Sequence, residues 1–296
     1  MNLALASCEN LPDWEVDDRP FHRELQKRGH THTVIPWTAP VDWSQFDAVL
    51  IRTTWDYTQK PNQFLNWAKK VSAQTLLLNP YPILEWNLSK TYLDELSQKG
   101  VSIAPSHWIT KQNPNQLKHV LDQYTEDRWF LKPIVGACAE STLRFDRSEL
   151  EAAEALIQSK LEDGGMILQP YIQSVEQDGE YSLIFIDGVA SHAVQKIPVK
   201  GDYRVQDDFG ASDHAIPIPE GLKDLAESVW LALPAHLKPL VARLDALNWN
   251  GTWVLNELEL IEPSLFFRHG PNAAGILTNA LERVIENAKI SNHQSA

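Results

Sequence analysis

Cysteine is scarce in this chain: Cys8 and Cys138 are the only two among 296 residues, and they lie far apart with no metal-ligand spacing. This argues against a disulfide framework and makes a reducing cytoplasm the natural setting. Long apolar runs are missing too, and nothing approaches the roughly 18 consecutive apolar residues that span a bilayer. LASC at residues 5–8 has the pattern of a lipoprotein cleavage box. No basic residue precedes it and the apolar run before Cys8 is too short for an export signal, so the stretch reads as a first β-strand. Basic residues are outnumbered 26 to 39, for a net charge of −13, and no Lys/Arg run offers a footprint for a phosphate backbone, so nucleic acid is not an expected partner. There is no GxxxxGK[ST] loop and no GxGxxG after the first strand, which removes the two commonest nucleotide signatures. Internal repeats and low-complexity tracts are also absent.

What is present is ample material for more than one core: 43% apolar and 22% charged residues suit two or three subdomains. Short apolar runs alternate with helical periodicity, which predicts βα units and an α/β (α+β) fold. LALAS, HTVIPW, DAVLIR and TLLLN read as strands, with helices over 18–28 and 61–71, in a first domain spanning 1–85. A second unit, 86–168, opens on a helix with Asn87 as N-cap and Gly100 as its stop. WFLKP, TLRF, MILQPYI, EYSLIFI and VASHAVQKI supply further strands, with Asp187-Gly188 as a two-residue hairpin turn. In the last unit, 169–296, the polar segment PVKGDYRVQDDFGASDHA has neither period, and a loop of that length inside a domain is usually functional. A helix over 222–232, strands over 241–248 and 252–261, and a helix after Pro271 complete the chain.

LNELELIEP, residues 255–263, sets three glutamates inside a strand that otherwise reads as buried. Alternation puts Glu257 and Glu259 on one face, opposite Leu258 and Leu260. With Trp249-Asn250-Gly251 as a three-residue loop, Arg243 opposes Glu257, Asp245 opposes Leu255, and Asp245, Glu257 and Glu259 form one patch with Arg243 beside them. Two such carboxylates about 7 Å apart repel by roughly 2 to 3 kcal/mol in a partly dry cleft. A divalent cation is the economical counter-charge, and magnesium shared with phosphates needs few protein ligands. The competing reading is a solvated acidic face; the adjoining apolar face and the co-facing Asp245 weigh against it.

Cationic partners for phosphate are at hand. Lys132 ends a strand before the small-residue stretch IVGACAES, whose amides can approach phosphate oxygens, although for the lysine alone an exposed strand end is the simpler reading. Lys90 falls in the first turn of its helix, where an anion is welcome, and a solvated lysine is the alternative. Arg52, Asp56 and Tyr57 follow a strand at the end where open α/β sheets place ligands. Arg52 suits a substrate carboxylate and Asp56 an ammonium group; the alternative is an Arg–Asp ion pair bracing the loop. Asp17 and Asp18 are explained by helix capping, and Cys138 with His192 lacks the orienting partner of a nucleophilic pair.

The order of these parts resembles the ATP-grasp superfamily: a lysine-bearing helix, Lys-Pro with a small-residue loop, QPYI, a basic flexible loop, then RLD and NELELIEP. The glutathione synthetase and ribosomal-protein glutamate ligase branch is most similar, particularly relatives of the ligase that closes O-ureido-serine into cycloserine. The likeness covers nearly the whole chain, including RTTWDY at 52–57 and SHAVQKIPVKGDYRVQ at 191–206. It implies an open α/β N-terminal domain followed by two α+β subdomains that clasp ATP. Lys90 and Lys132 then hold phosphates; Gln169, Pro170, Tyr171 and Ile172 recognise adenine; Glu180 sits at the ribose; and Asp245, Glu257 and Glu259 bind magnesium, two ions, with manganese as an alternative. Arg243, Lys196 and Arg204 would face the transferred phosphoryl group, and residues 198–211 would close as a lid. Where this chain has Ala137-Cys138-Ala139, relatives carry more glycine. The implied reaction is carboxylate–amine ligation through an acyl phosphate on a small amino-acid-like or peptide substrate, releasing ADP and phosphate. An intramolecular cyclase and a non-catalytic ATP-binding scaffold are the alternatives. A homo-oligomer is compatible with the sequence, which does not specify one.

Overall fold

A computed structural model describes residues 1–12, 16–136 and 139–294, the last three by backbone alone. The first sheet is parallel, in the order β2-β1-β3-β4: β1 (Asn2–Ser7), β2 (Thr31–Pro36), β3 (Ala48–Thr53) and β4 (Leu76–Leu78). Helices α1 (Arg19–Lys27) and α2 (Pro61–Gln74) make its crossovers. β3 is buried along its whole length, as its continuous apolar run requires for a strand covered on both faces. Two short helices follow, α3 (Tyr81–Asn87) and α4 (Tyr92–Gln98). Asn87 is therefore not an N-cap: it closes α3, and Lys90 precedes α4 rather than lying in its first turn.

The second sheet, β5-β8-β6-β7, is antiparallel and comprises β5 (His107–Ile109), β6 (Arg128–Pro133), β7 (Leu143–Asp146) and β8 (Met166–Pro170), with α5 (Leu117–Leu121) and α6 (Leu150–Lys160) around it. Its core is largely its own, built on Trp129, Leu131, Phe145 and Leu168. After α7 (Ser174–Gln177), the third sheet holds β9 (Glu180–Ile186), β10 (Val189–Ile197), β11 (Ser212–Ile216), β12 (Val241–Trp249) and β13 (Thr252–Glu259), ordered β11-β10-β9-β12-β13. Helices α8 (Glu220–Ala232) and α9 (Ala273–Gln294) cover it. β11 occupies the end of the segment expected to be irregular; its SDHAI has too little apolar period to announce a strand and is ordered by pairing with β10.

Packing crosses the sequence divisions. Tyr92, Leu93 and Leu96 of α4 share a core with α8, β12 and β13. Leu277 and Leu281 of α9 join Leu3 and Leu50 of the first sheet to Ile184 and Ile186 of β9.

The β12–β13 hairpin decides where the acidic side chains go, and its register differs from the expected one. Trp249 pairs with Thr252, so Asn250-Gly251 is a two-residue turn. Both residues have positive φ, 52° and 84°, the conformation that glycine tolerates and asparagine adopts more readily than most. Such a turn alone would oppose Asp245 to Asn256. Instead the register shifts after Ala246–Leu255, Asn256 is left over as a bulge, and Asp245 faces Glu257 while Arg243 faces Glu259. Ahead of the bulge Leu255 lies on the core face, and beyond it Leu258 and Leu260 do. The acidic patch forms, but through a bulge that apolar alternation cannot reveal.

β13 is an edge strand, and its outer edge is closed by main-chain and side-chain groups of the preceding segments. The Leu255 N–H donates to the Ser102 carbonyl (2.8 Å) and the Leu258 N–H to the Tyr92 hydroxyl (2.9 Å). Asn87 spans the Leu258 carbonyl and the Leu260 N–H, each at 2.8 Å. Asn79, fully buried, donates to the Leu260 and Val241 carbonyls (2.7 and 2.8 Å) and accepts from the Leu240 and Val241 N–H groups (2.7 and 3.2 Å). These contacts satisfy main-chain groups that an edge otherwise leaves open. Asn79→Ala is expected to cost about 3 kcal/mol, since it strands several buried main-chain groups at once; urea unfolding should show the midpoint falling accordingly.

Candidate active site

One cavity lies where the second and third sheets face each other, with residues 203 and 205–208 forming part of its wall. It brings together most of the residues singled out from sequence: Lys90, Lys132, Gln169, Pro170, Tyr171, Ile172, Glu180, Lys196, Arg243, Asp245, Glu257 and Glu259 all line it. One end is apolar, where Ile172, Val175, Val205 and Leu247 pack together. The other is charged.

β12 and β13 supply the charged floor. Arg243 grips Asp245 with Nε at 3.0 Å from both carboxylate oxygens and Nη2 at 2.9 Å from Oδ2, and it also reaches Glu259. Ser182 of β9 donates to Asp245, and Lys196 of β10 lies 3.4 Å from it and 2.5 Å from Glu180. Lys90 pairs with Glu257 at 2.9 Å and donates to the Gly136 carbonyl at 2.5 Å. Lys132 donates to both the carbonyl and the side-chain oxygen of Asn256, at 3.1 and 3.0 Å. Lys132 is thus buried rather than an exposed strand end. Among the described residues no three of His, Cys, Asp and Glu converge as metal ligands. Cationic side chains stand between the carboxylates.

The balance of burial and charge is uneven across the site. Burial raises the cost of ionising Asp245, yet Arg243, Lys196 and Ser182 more than offset it and hold the carboxyl down at about 2. Burial lowers the Lys132 pKa to about 8, with Lys90 adding to the effect and Glu257 opposing it. For Lys196 the cost of burial is outweighed by Asp245 and Glu180, and its pKa is raised. Glu259 is pushed well up by burial and by Asp245, Glu262 and Glu257, against the pull of Arg243. Glu262 is raised to about 7, chiefly by burial. At this charged end Glu180, Asp245, Glu257, Glu259 and Glu262 outnumber Lys90, Lys132, Lys196 and Arg243, and burial together with that surplus negative charge raises Glu259 and Glu262.

Four expected site residues are not on the cavity wall. Arg204 turns back on its own loop, paired with Asp202 at 2.7 Å and stacked 3.9 Å over Phe209. Arg52 is buried and braces Asp18, not Asp56, with Nε at 2.9 Å and Nη2 at 2.8 Å, and its Nη1 donates to the Pro263 carbonyl at 3.2 Å. Asp56 accepts from Trp37 Nε1 at 2.7 Å, and Tyr57 is buried against Phe64 in the first-sheet core. A strand-end position was the whole signal for these three, and it also suits a loop held by ion pairing. Nor do the aspartates cap α1: Asp18 makes no cap bond, and Asp17 pairs with Arg268 at 3.1 Å. Ala137 and Cys138 of the small-residue loop lie outside the described residues. His192 instead lies against the Phe266 carbonyl at 3.2 Å.

Sequence reasoning also missed cavity residues. Asn256 is one, brought in by the bulge; Glu262, Ser264, Phe266 and Arg268 follow β13 in an irregular segment. For Glu262 the signal was present, an acid beside proline at the end of an apolar strand, but periodicity assigns no direction beyond the strand.

Comparison with known proteins fits this geometry. Residues 93–242 match the family described as prokaryotic glutathione synthetase, ATP-grasp domain. The chain belongs to the ATP-grasp ligases, ADP-forming enzymes that use ATP and divalent metal to join a carboxylate to an amine. Within that class, residues 3–79 match the N-terminal domain of D-cycloserine synthetase DcsG. The cycloserine biosynthesis protein DcsG of Streptomyces lavendulae is 33% identical over 265 residues, 85% of this chain and 88% of that protein. A crystal structure of D-cycloserine synthetase DcsG superposes with a TM-score of 0.88 at 28% identity, covering 96% of this chain and all of that one. D-alanine–D-alanine ligase from Bacillus anthracis shares the fold, with a TM-score of 0.69 at 16% identity and full coverage of both chains. No helix among the described residues is long and apolar enough to cross a membrane.

Two outcomes test this electrostatic description. Glu262 binds its proton more tightly in the folded state (about 7) than at its ordinary value of 4.5. Between those pH values the folded state holds more protons than the unfolded one, so the Glu262 contribution to stability falls as pH rises. Relative to Glu262→Gln, the wild type should lose about 2 to 3 kcal/mol between pH 4.5 and 7.5 in urea titrations without metal or nucleotide. Arg52→Ala should destabilise the protein by about 3 kcal/mol, because it leaves the mostly buried Asp18 without its guanidinium; a fall in the urea midpoint would register it.

Proposed function

We propose that this cavity binds ATP with two magnesium ions and activates the carboxylate of a small amino-acid-like substrate as an acyl phosphate, which an amine then attacks. One observation carries the reading: Lys90, Lys132, Lys196 and Arg243 meet Asp245, Glu257 and Glu259 in a single cavity whose far end is apolar. The apolar end, with Gln169 to Ile172 along it, suits an adenine ring, and Glu180 beside it suits the ribose. Lys90 and Lys132 are placed for phosphate oxygens; the buried Lys132, with its lowered pKa, gains most from an anion.

The donor set fits the metal. Asp245, Glu257 and Glu259 offer hard oxygen ligands, and a divalent cation favours the charged form of Glu259, which burial and its acidic neighbours disfavour. These side chains lie beyond the 93–242 family match, so their assignment rests on the hairpin geometry. Bound metal would neutralise charge on the transferring phosphoryl group. Arg243 and Lys196, already buried beside Asp245, need little reorganisation to face that charge. The wall segment within 198–211 would serve as a lid: Tyr203 shares a hydrogen bond with Thr142 (2.9 Å) and meets Phe130 edge-on. Closure of that kind keeps water from the acyl phosphate. In this reading residues 1–85 face the substrate, while 86–168 and 169–296 close on ATP in a reducing cytoplasm.

The amine can belong to the same molecule as the carboxylate. The match of residues 3–79 to the N-terminal domain of D-cycloserine synthetase DcsG supports this intramolecular version. A coupled ADP-release screen over amino acids, dipeptides and O-ureido-serine, with and without magnesium, tests both forms. Magnesium-dependent, substrate-stimulated turnover is expected, and turnover without added amine identifies cyclisation. ATP binding with no stimulated turnover across the panel would instead make the chain a scaffold. Glu257→Gln should lower kcat about 100-fold or more while circular dichroism and thermal unfolding stay near wild type; an unimpaired rate would remove Glu257 from the metal site.

A further inference from the structure

We infer that Glu262 accepts the proton of the attacking nitrogen, and that Arg52 and Arg243 position it for that task. This rests on the ligase reading above and adds a residue to it.

Glu262 is 7% exposed and lines the charged end of the cavity. Asp245, Glu257, Glu259 and Glu180 each have a cationic or hydrogen-bonding side chain in contact, whereas Glu262 has none among the described residues. Arg243 and Lys90 influence it only at longer range. A carboxylate so deeply buried, lining a cavity with its own main-chain N–H as its hydrogen-bond partner and no side chain in contact, has acceptor capacity left for a donor from the ligand.

The segment around it is held firmly. Arg52 Nη1 donates to the Pro263 carbonyl at 3.2 Å, and Arg243 Nη1 lies 3.4 Å from the Ser264 carbonyl. Arg52 is itself locked by Asp18. Two guanidiniums thereby fix the main chain immediately after Glu262, and with it the point from which the side chain enters the cavity. Asp56, the sequence-based candidate for a substrate nitrogen, is committed to Trp37.

The chemistry needs such a group. As nitrogen attacks the acyl carbon, the C–N bond forms and the C–O bond to phosphate breaks, with phosphate taking the electron pair. The nitrogen must then lose a proton. Glu262 takes it on a carboxylate oxygen and releases it to solvent or to departing phosphate. Burial disfavours the charged carboxylate, so taking up the proton relieves part of the cost of keeping that charge away from water.

The test separates the two half-reactions in the full-length enzyme, using O-ureido-serine as carboxylate probe and hydroxylamine as external nucleophile. Hydroxylamine is largely unprotonated at neutral pH and intercepts an acyl phosphate as a hydroxamate. Glu262→Gln should lower product formation by about 100-fold or more while hydroxamate formation stays within a few-fold of wild type. Glu262→Asp should recover part of the loss. Equal losses in both assays would place Glu262 in phosphoryl transfer or folding and overturn the inference, as would unchanged product formation. A wild type that yields no hydroxamate from this or any other carboxylate in the screen removes the ligase reading itself.

Discussion

Between the Ala246–Leu255 and Asp245–Glu257 pairs the β12–β13 ladder takes in one unpaired residue, Asn256, and the charged floor of the cavity is placed by that insertion. The alternation of side chains allows a strand to change face only by such a slip. Leu255, Leu258 and Leu260 can all reach the core because the bulge lies between the first and the other two. The same slip turns Glu257 and Glu259 toward Asp245. The inserted residue is itself used: Asn256 accepts from Lys132 and donates to Glu180, joining the second sheet to the third.

Such an arrangement endures because the strand around it cannot shift. Its inner edge is paired with β12, and its outer edge is closed by Asn79, Asn87, Tyr92 and Ser102. Within this frame the electrostatics follow from pairing. Asp245 stays ionised because it faces a guanidinium and an ammonium together, whereas Glu259 shares its guanidinium with Asp245, and Glu262 has no cationic contact. Three carboxylates within one short stretch of fold thus have different proton affinities. Neighbours, more than burial alone, set them apart.

Much of this was legible in the amino-acid order. Runs such as DAVLIR and EYSLIFI are apolar enough to define strands by themselves, and Asp187-Gly188 marks its hairpin. The union of Asp245, Glu257 and Glu259 was also legible, though the register inferred for it was not the one adopted. The difference lies in Asn256: a bulge depends on what the two faces must pack against, which a single strand does not record. Arg52, Asp56 and Tyr57 show the complementary difficulty. Their place at a strand end is visible in sequence, but whether an arginine there meets a ligand or Asp18 is decided by residues distant in the chain. Asn79 and Asn87, read locally as a strand end and a helix cap, bind the start of β12 and the end of β13 with the residue after it, more than 160 residues away.

The core shared by α9, β9 and the first sheet has a mechanical implication. Leu277 and Leu281 are fully buried where they bridge Leu3 and Leu50 to Ile184 and Ile186, so the beginning and end of the chain form one solid base. The second sheet is joined to that base differently, through apolar contacts such as Ile134 and Ile167 and through hydrogen bonds such as those of Lys132 to Asn256. The cavity therefore lies between one stiff jaw and a second sheet that keeps a core largely its own. Cutting the chain between the first two sheets would not liberate an independent module; it would bare the greasy seam on which the stiff jaw is assembled.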